Sequence, residues 1–507
     1  MKKSLLALTT CLALALPAHS QSLADLTTLE AQTKIQNRTL SATQLTEFYL
    51  KRISQLDDSG PMLNAVITLN PNALQDAKKL DAEILAGKYR GPLHGLPVIV
   101  KDNIDTRAPM ATTAGALALQ HNVKTQAAPL IIQLEQAGAI ILGKANLSEW
   151  ANFKSSFSSS GYSTLGGQTK NPYVLDRTPC GSSSGSAVAV SAGLALLAIG
   201  TETDGSIVCP SAHNGVVGIK PTVGLVSGEG IVPISHSQDS AGPMANSVMG
   251  AALLLNAIVT DAKQPIDFTQ GLNAASFKGK RIAITSHVGQ FPPAVQAVFA
   301  KAVATMKANG AEIIEGLDLP ELEALGSAEL DILLYDFKHD LNAYLAKTPE
   351  QVKVKNLNQL IQFNQQHPST IKYFDQYLIE EAAKKGDITE HRYQEAQALV
   401  KKFARQQGID KIIQEHRLDA FIAPTNTPAW SIDIINGDNF SASSSSPAAI
   451  AGYPSITVPM GFHHELPLGI SFFAEAYSEA KLIKLAYAFE QLTNARKAPE
   501  FKATLTP

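Results

Sequence analysis

Apolar positions along this chain follow two rhythms, and each rhythm predicts a different element. From Ser22 to Leu56 the spacing is helical, with Thr43 to Ile53 setting apolar side chains three and four residues apart. Pro71 opens a second helix running to about Ala86, because proline at a helix start gives up an N–H that has no partner there. Leu96-Pro97-Val98-Ile99-Val100 is continuously apolar, as a strand covered on both faces must be, and it delivers Lys101 at its end. Pro129 to Gly138 is helical again, and Ala139-Ile140-Ile141-Leu142 is a second buried strand. Leu418 to Ala423 and Ser455 to Pro459 carry the same strand character, whereas Glu321 to Gln414 is charged and helix-rich. Helices alternating with buried strands predict an α/β fold: a large mixed β-sheet core surrounded by helices, with residues 321–414 as a cap or outer layer. Nothing in the pattern marks a linker or a repeat, so residues 21–507 are expected to form one domain.

The first twenty residues stand apart. Met1-Lys2-Lys3 is basic, Ser4 to Pro17 is apolar, and Ala18-His19-Ser20 offers small residues before a cut. That layout predicts a secretory signal peptide, too short for a comfortable membrane span, and a secreted or periplasmic mature chain from Gln21. Leu8-Thr9-Thr10-Cys11 lacks the small residue that a lipoprotein cut would need. No later stretch is long and apolar enough to cross a bilayer; even Ala187 to Ile199 is short and interrupted by glycine.

Charge narrows the partners. The formal charge of −3 deepens by two once Lys2 and Lys3 are removed, and no block of Lys or Arg stands out. Nucleic acid and anionic lipid are therefore not expected as partners. Cys180 and Cys209 remain in the mature chain, and on composition they read as two small buried packing residues rather than a disulfide scaffold. His94, His213 and His236 have no metal-ligand spacing between them, and neither a metal nor a cofactor is expected.

Ser155 to Ser186 is crowded with Ser and Gly, a composition shared by flexible linkers. Tyr162, Leu165, Tyr173 and Val174 supply apolar anchors, however, and a helix-forming run from Ala187 to Leu197 follows at once. Within this region lies Gly181-Ser182-Ser183-Ser184-Gly185-Ser186, and twenty-four residues after Ser182 comes Ser206, in Gly200-Thr201-Glu202-Thr203-Asp204-Gly205-Ser206-Ile207. A serine hydroxyl attacks a carbonyl only when a base takes its proton, and a lysine can be that base only when burial keeps it neutral. Lys101, emerging from an apolar strand, fits that need. Gly205 permits a tight turn whose N–H groups can face a developing oxyanion.

Pro179 to Ser186, the small-residue run Ala187 to Gly193, Gly200 to Ile207 and Val216 to Thr222 together resemble the amidase signature. Gly95 to Asn103 resembles that family's lysine segment, and Gly143 to Trp150 and Gly242 to Ala245 also match its pattern. The resemblance runs from about Leu29 to Ala495. It implies an amidase-signature fold and a Ser–Ser–Lys triad. Ser206 is the nucleophile, Ser182 the bridging serine after a cis peptide bond, and Lys101 the base. Backbone N–H groups of Thr203, Asp204, Gly205 and Ser206 form the oxyanion hole.

Some positions depart from the commoner pattern. Asp204 and Ser184 stand where many members have glycine, and Val208 and Cys209 where several carry arginine. The missing arginine points to a neutral substrate. Asp204-Gly205-Ser206, Ala423 to Trp430 and Pro447 to Pro454 are most similar to the bacterial peptide amidase branch, which releases ammonia from C-terminal peptide amides.

Other readings remain open at this level. A broader hydrolase of aryl or fatty amides is one. A non-catalytic exported protein whose Ser/Gly loops merely hold a ligand is another. Gly181-Ser182-Ser183-Ser184-Gly185 also fits G-x-S-x-G, which would make Ser183 the nucleophile, but Arg177-Thr178-Pro179-Cys180 is no strand to precede it. An amidotransferase role on aminoacyl-tRNA is opposed by the signal sequence and the lack of a basic surface. Trp430 is a candidate pocket wall.

Overall fold

The computed structural model describes residues 22–260, 266–273, 276–320 and 322–506. The signal-peptide reading of residues 1–20 lies outside the described residues. In chain order the strands begin with β1 Val66–Leu69, β2 Pro97–Lys101, β3 Ile140–Ala145 and the short hairpin β4 Tyr162–Ser163 and β5 Gly167–Gln168. Next come β6 Leu197–Glu202, β7 Val217–Lys220, β8 Ser240–Ala245, β9 Arg281–Thr285 and β10 Glu312–Leu317. The last three are β11 Ala420–Pro424, β12 Ser455–His463 and β13 Leu466–Phe473.

Eleven of these strands form one sheet in the order β1-β3-β2-β6-β8-β7-β12-β13-β11-β9-β10. Strands β3, β2 and β6 run parallel, as do β11, β9 and β10, while the middle of the sheet is antiparallel. This is the large mixed sheet wrapped by helices that the apolar pattern predicts. Parallel pairing of Val98, Ile99 and Val100 with Leu197, Ala198 and Ile199 brings Lys101 and Thr201 out at the same sheet edge. Carboxyl ends of neighbouring parallel strands are where α/β proteins build their sites.

Two small-residue helices pack on this sheet next to that edge. Ser184–Ser191 is buried on every side, as an all-round apolar helix must be. It also explains Gly185, where a Cβ would lie 2.2 Å from the Ala65 carbonyl oxygen. Val208–His213 packs against β7, β12 and β13. The expected helix from Ala187 to Leu197 is shorter in the structure. It ends at Ser191 because Gly193 takes a left-handed conformation (φ +65°), and Leu197 already belongs to β6.

Residues 322–416 are helical without any strand, through Leu322–Ala346, Leu357–Gln366, Tyr377–Ala383, His391–Val400 and Asp410–His416. Their apolar faces make a separate cluster in which Phe337, Leu341, Leu345 and Leu360 pack with Trp150 and Phe153. This outer layer therefore covers the loop that follows β3.

Candidate active site

Lys101 ends β2 fully buried, and all three of its hydrogen-bond partners are neutral. Its Nζ lies 2.7 Å from Ser182 Oγ, 2.8 Å from Thr201 Oγ1 and 3.1 Å from the Thr201 carbonyl oxygen. Burial pushes the ammonium down to about 7, against the opposing pull of Asp239 and Glu202. Lys144 has a different environment. It is equally buried, but it pairs with Asp102 at 3.2 Å and donates to Thr112 Oγ1 and the Ile104 carbonyl. It ties β3 to the loop after Lys101, whereas Lys101 is held by hydroxyls and is free to exchange a proton with one of them.

The serine-rich segment is no linker, because each hydroxyl has its own task. Ser182 faces Lys101, and the Gly181–Ser182 peptide bond is cis, as the resemblance implies. Ser183 Oγ donates to the Thr201 carbonyl at 3.0 Å and accepts from the Thr201 N–H at 3.1 Å. Ser184 Oγ donates to the Cys180 carbonyl and Ser186 Oγ to that of Ile199. Ser183 thus stitches the segment to β6. That occupation, with no strand before it, leaves the G-x-S-x-G reading without a nucleophile.

Ser206 belongs to the turn between β6 and the helix Val208–His213, and its carbonyl accepts from Ser183 N–H at 3.1 Å. Gly205 makes the turn possible with φ +77°. Among the described residues, the N–H groups of Asp204, Gly205 and Ser206 donate to no other protein group. Glu202 holds the turn from below: its Oε2 accepts from Ile207 N–H at 2.7 Å and Val208 N–H at 2.9 Å, capping the helix that follows. Lys101, Ser182 and Ser206, far apart in sequence, thus meet at one sheet edge, next to a turn of free N–H groups.

This arrangement has known counterparts. The family described as Amidase matches residues 44–483. The chain belongs to the amidase family. This amidase is 38% identical over 506 residues to a probable amidase of Arabidopsis thaliana, covering 95% of this chain and 93% of the relative. It is 46% identical to the solved native peptide amidase of Stenotrophomonas maltophilia, with a TM-score of 0.90, covering 94% of this chain and 99% of that one. A putative amidase of Schizosaccharomyces pombe is 32% identical over 520 residues, covering 95% of this chain and 87% of the relative. The protein is accordingly an amidase hydrolase with the amidase-signature fold.

The structure corrects the cysteine reading. Cys180 and Cys209 are a disulfide, their Cα atoms 5.9 Å apart, and Trp430 packs against them. Composition could not reveal this. The pairing exists because the turn before Ser184–Ser191 and the first turn of Val208–His213 are brought side by side on the sheet. Trp430 is fixed there by Nε1 donating to Asp438 Oδ1 at 2.9 Å.

The surroundings of the turn add contacts that the motifs did not specify. Asp204 accepts from Ser446 Oγ at 2.7 Å, and burial raises its carboxyl pKa. Glu329, from the long outer helix, accepts from Gln238 Nε2 at 2.9 Å; burial and then Asp204 raise it to about 8. The turn is thus flanked by the acids Glu202, Asp204 and Glu329 and by one buried lysine, Lys220, whose charge acts on Glu202 and Asp204. Only the capping of a helix by Glu202 left a trace in the sequence, as an acid shortly before a helix start. Burial lowers His213 to about 4 and keeps it neutral, against the opposite pull of its Nε2 hydrogen bond to the Thr427 carbonyl. His94 is buried against the Leu80 carbonyl. His236 is exposed and pairs with Asp340, where His339 also converges. A cavity of about 620 Å³ is lined by Thr201, Lys124, Tyr344, Asp239 and the loop 223–231; Ser182 and Ser206 are not in its wall.

Proposed function

We propose that this amidase hydrolyses neutral primary carboxamides through an acyl-enzyme on Ser206, with C-terminal peptide amides as substrates. The observation that carries the reading is the buried Lys101–Ser182 hydrogen bond of 2.7 Å, in surroundings that lower the lysine to about 7. Neutral Lys101 takes the proton of Ser182, Ser182 takes that of Ser206, and Ser206 Oγ attacks the amide carbon. The oxyanion is received by N–H groups of Thr203, Asp204, Gly205 and Ser206. As the tetrahedral intermediate collapses, the relay returns its proton to the departing nitrogen and ammonia leaves. Water then attacks the acyl-enzyme by the same relay, giving the carboxylic acid and restoring Ser206.

Charge supports the neutral substrate. Val208 and Cys209 offer no cation behind the nucleophile. A free acid at the reacting end would be desolvated without a partner. One peptide offered both as its amide and as its free acid should gain about one mass unit in the amide sample alone, by the exchange of NH2 for OH. Cleavage at internal peptide bonds, or turnover confined to aryl amides, would refute the reading.

We also propose that the mature chain is exported, from the signal-like segment before Gln21, and the disulfide fits an oxidising compartment. Protein recovered from outside the cytoplasm should begin at Gln21 with Cys180 and Cys209 linked in a non-reducing peptide map. Closing a loop across 29 residues contributes roughly 3–4 kcal/mol on the chain-entropy model, so Cys209→Ser should lower the unfolding temperature measurably. A cytoplasmic chain with both thiols free would overturn the assignment.

A further inference from the structure

Asp336, His339 and Asp340 recur at three- and four-residue spacing on the outer helix Leu322–Ala346, so they stand on one face of it. His236 meets them there, from a loop 104 residues before Asp340 in the chain. His236 Nδ1 lies 2.9 Å from Asp340 Oδ2, and His339 Nδ1 lies 2.9 Å from Asp340 Oδ1. One donor atom from each of the three residues falls within 4.8 Å of the others. Zinc bonds of about 2.0–2.1 Å place neighbouring donors roughly 3–3.5 Å apart, so small side-chain rotations bring all three onto one ion. The carboxylate is held independently of either ring, because Oδ2 also accepts the His236 N–H at 2.8 Å. Beside it, buried Asp336 accepts from Ser235 Oγ at 2.6 Å and Tyr393 Oη at 2.8 Å, with Oδ1 3.6 Å from His236 Nδ1. Asp336, Asp340 and Asp239 all act on the His236 ring by charge, a field that favours a cation. Both rings are half exposed, so each Nε2 can face water and carry the proton while Nδ1 binds.

We propose that His236, His339 and Asp340 form a binding site for a divalent transition-metal ion of the zinc class. Two imidazoles and a carboxylate suit zinc, nickel or copper, whereas calcium and magnesium call for oxygen donors. Water completes the open positions. The ion clips the outer helix to the loop 234–239. That loop ends in Asp239, whose Oδ2 accepts from the Ile234 and Ser235 N–H groups and whose Oδ1 accepts from Thr203 Oγ1 at 2.6 Å. The clip therefore braces the outer layer against the residue that holds Thr203 in the turn before Ser206. It takes no part in the proposed Ser–Ser–Lys chemistry and does not depend on which amide is cleaved.

The test is a zinc titration of untagged protein, read by isothermal calorimetry and by competition with a chromogenic chelator. One Zn2+ per chain should bind with a Kd on the order of 1–100 μM, weaker than a closed four-ligand centre. Zinc should also raise the unfolding temperature in a concentration-dependent way, since it binds the folded chain. His339→Ala and His236→Ala should each weaken binding at least about tenfold and shrink that rise. Both variants should stay folded, because each ring is half exposed and the His236 N–H that holds Asp340 is main chain. Their metal-free unfolding temperatures should therefore match the wild type within a few degrees. Replacing His463 and His464, whose rings lie 4.4 Å apart at the β12–β13 turn, should leave the affinity unchanged. No binding below about 1 mM, binding retained in either His339→Ala or His236→Ala, binding lost with His463→Ala and His464→Ala instead, or equal binding of Mg2+ would each overturn the proposal.

Discussion

Ser206→Ala should reduce amide turnover by a thousandfold or more, on the order seen when an activated serine is removed, while the fold survives. Two features of the site separate these outcomes. The Ser206 hydroxyl donates no structural hydrogen bond among the described residues, and its carbonyl, which holds Ser183, is untouched by the substitution. The turn itself is held by Glu202 and Gly205, neither of which changes. What persists is rate from the oxyanion N–H groups alone, since removing a nucleophile does not remove electrostatic stabilisation. Ser183→Ala gives the useful contrast. It deletes two buried hydrogen bonds to Thr201 and should cost roughly 1–3 kcal/mol of stability with a smaller effect on turnover per folded molecule. Circular dichroism, a melting curve and labelling by a serine-directed fluorophosphonate distinguish the two variants. Turnover retained in Ser206→Ala and lost in folded Ser183→Ala would reverse the assignment.

Lys101 is expected to govern the pH dependence. Below a pH of about 7 it is protonated and cannot accept from Ser182; above it the neutral amine can. Turnover should therefore rise about tenfold per pH unit on the acid side and level off near the lysine's own value. An ordinary lysine would put that limb some three units higher, near 10.4. Lys101→Ala should remove the limb together with most of the activity. Lys101→Arg should do no better, because a guanidinium does not give up its proton in this range. The measurement is kcat/KM on one amide from about pH 5 to 9 for the three proteins. An acid limb that persists in Lys101→Ala would assign it to another group, Asp239 first, since burial lifts that carboxyl to about 6.

These two residues also show how much of the site was legible beforehand. Lys101 could be read because a buried strand has a clear signature, a run of apolar residues with a charge at its end. Ser182 and Ser206 could be read because the motifs around them are long and ordered. The turn was legible through Gly205. Gln238 and Glu329 were not, since nothing local distinguishes them from other polar residues. Glu329 arrives from the outer helix, more than a hundred residues from Ser206. The helix after Ser183 was overextended for a related reason. Its apolar run continues into β6, and period alone does not separate a buried helix from the buried strand that follows it.

By itself the sequence determined the α/β class, the mixed sheet, the amidase family and the three residues that carry the proposed chemistry. It did so because burial periodicity and motif order are properties of neighbouring residues. Tertiary structure decided what depends on distance in space. It set the neutral, hydroxyl-lined surroundings that lower Lys101 while leaving Lys144 paired with Asp102. It joined Cys180 to Cys209, whose pairing composition left undecided. It also set Asp204 and Glu329 near one another at the turn, because a proton's affinity and a hydrogen bond's partner are fixed by what lies within a few ångströms, whatever its place in the chain.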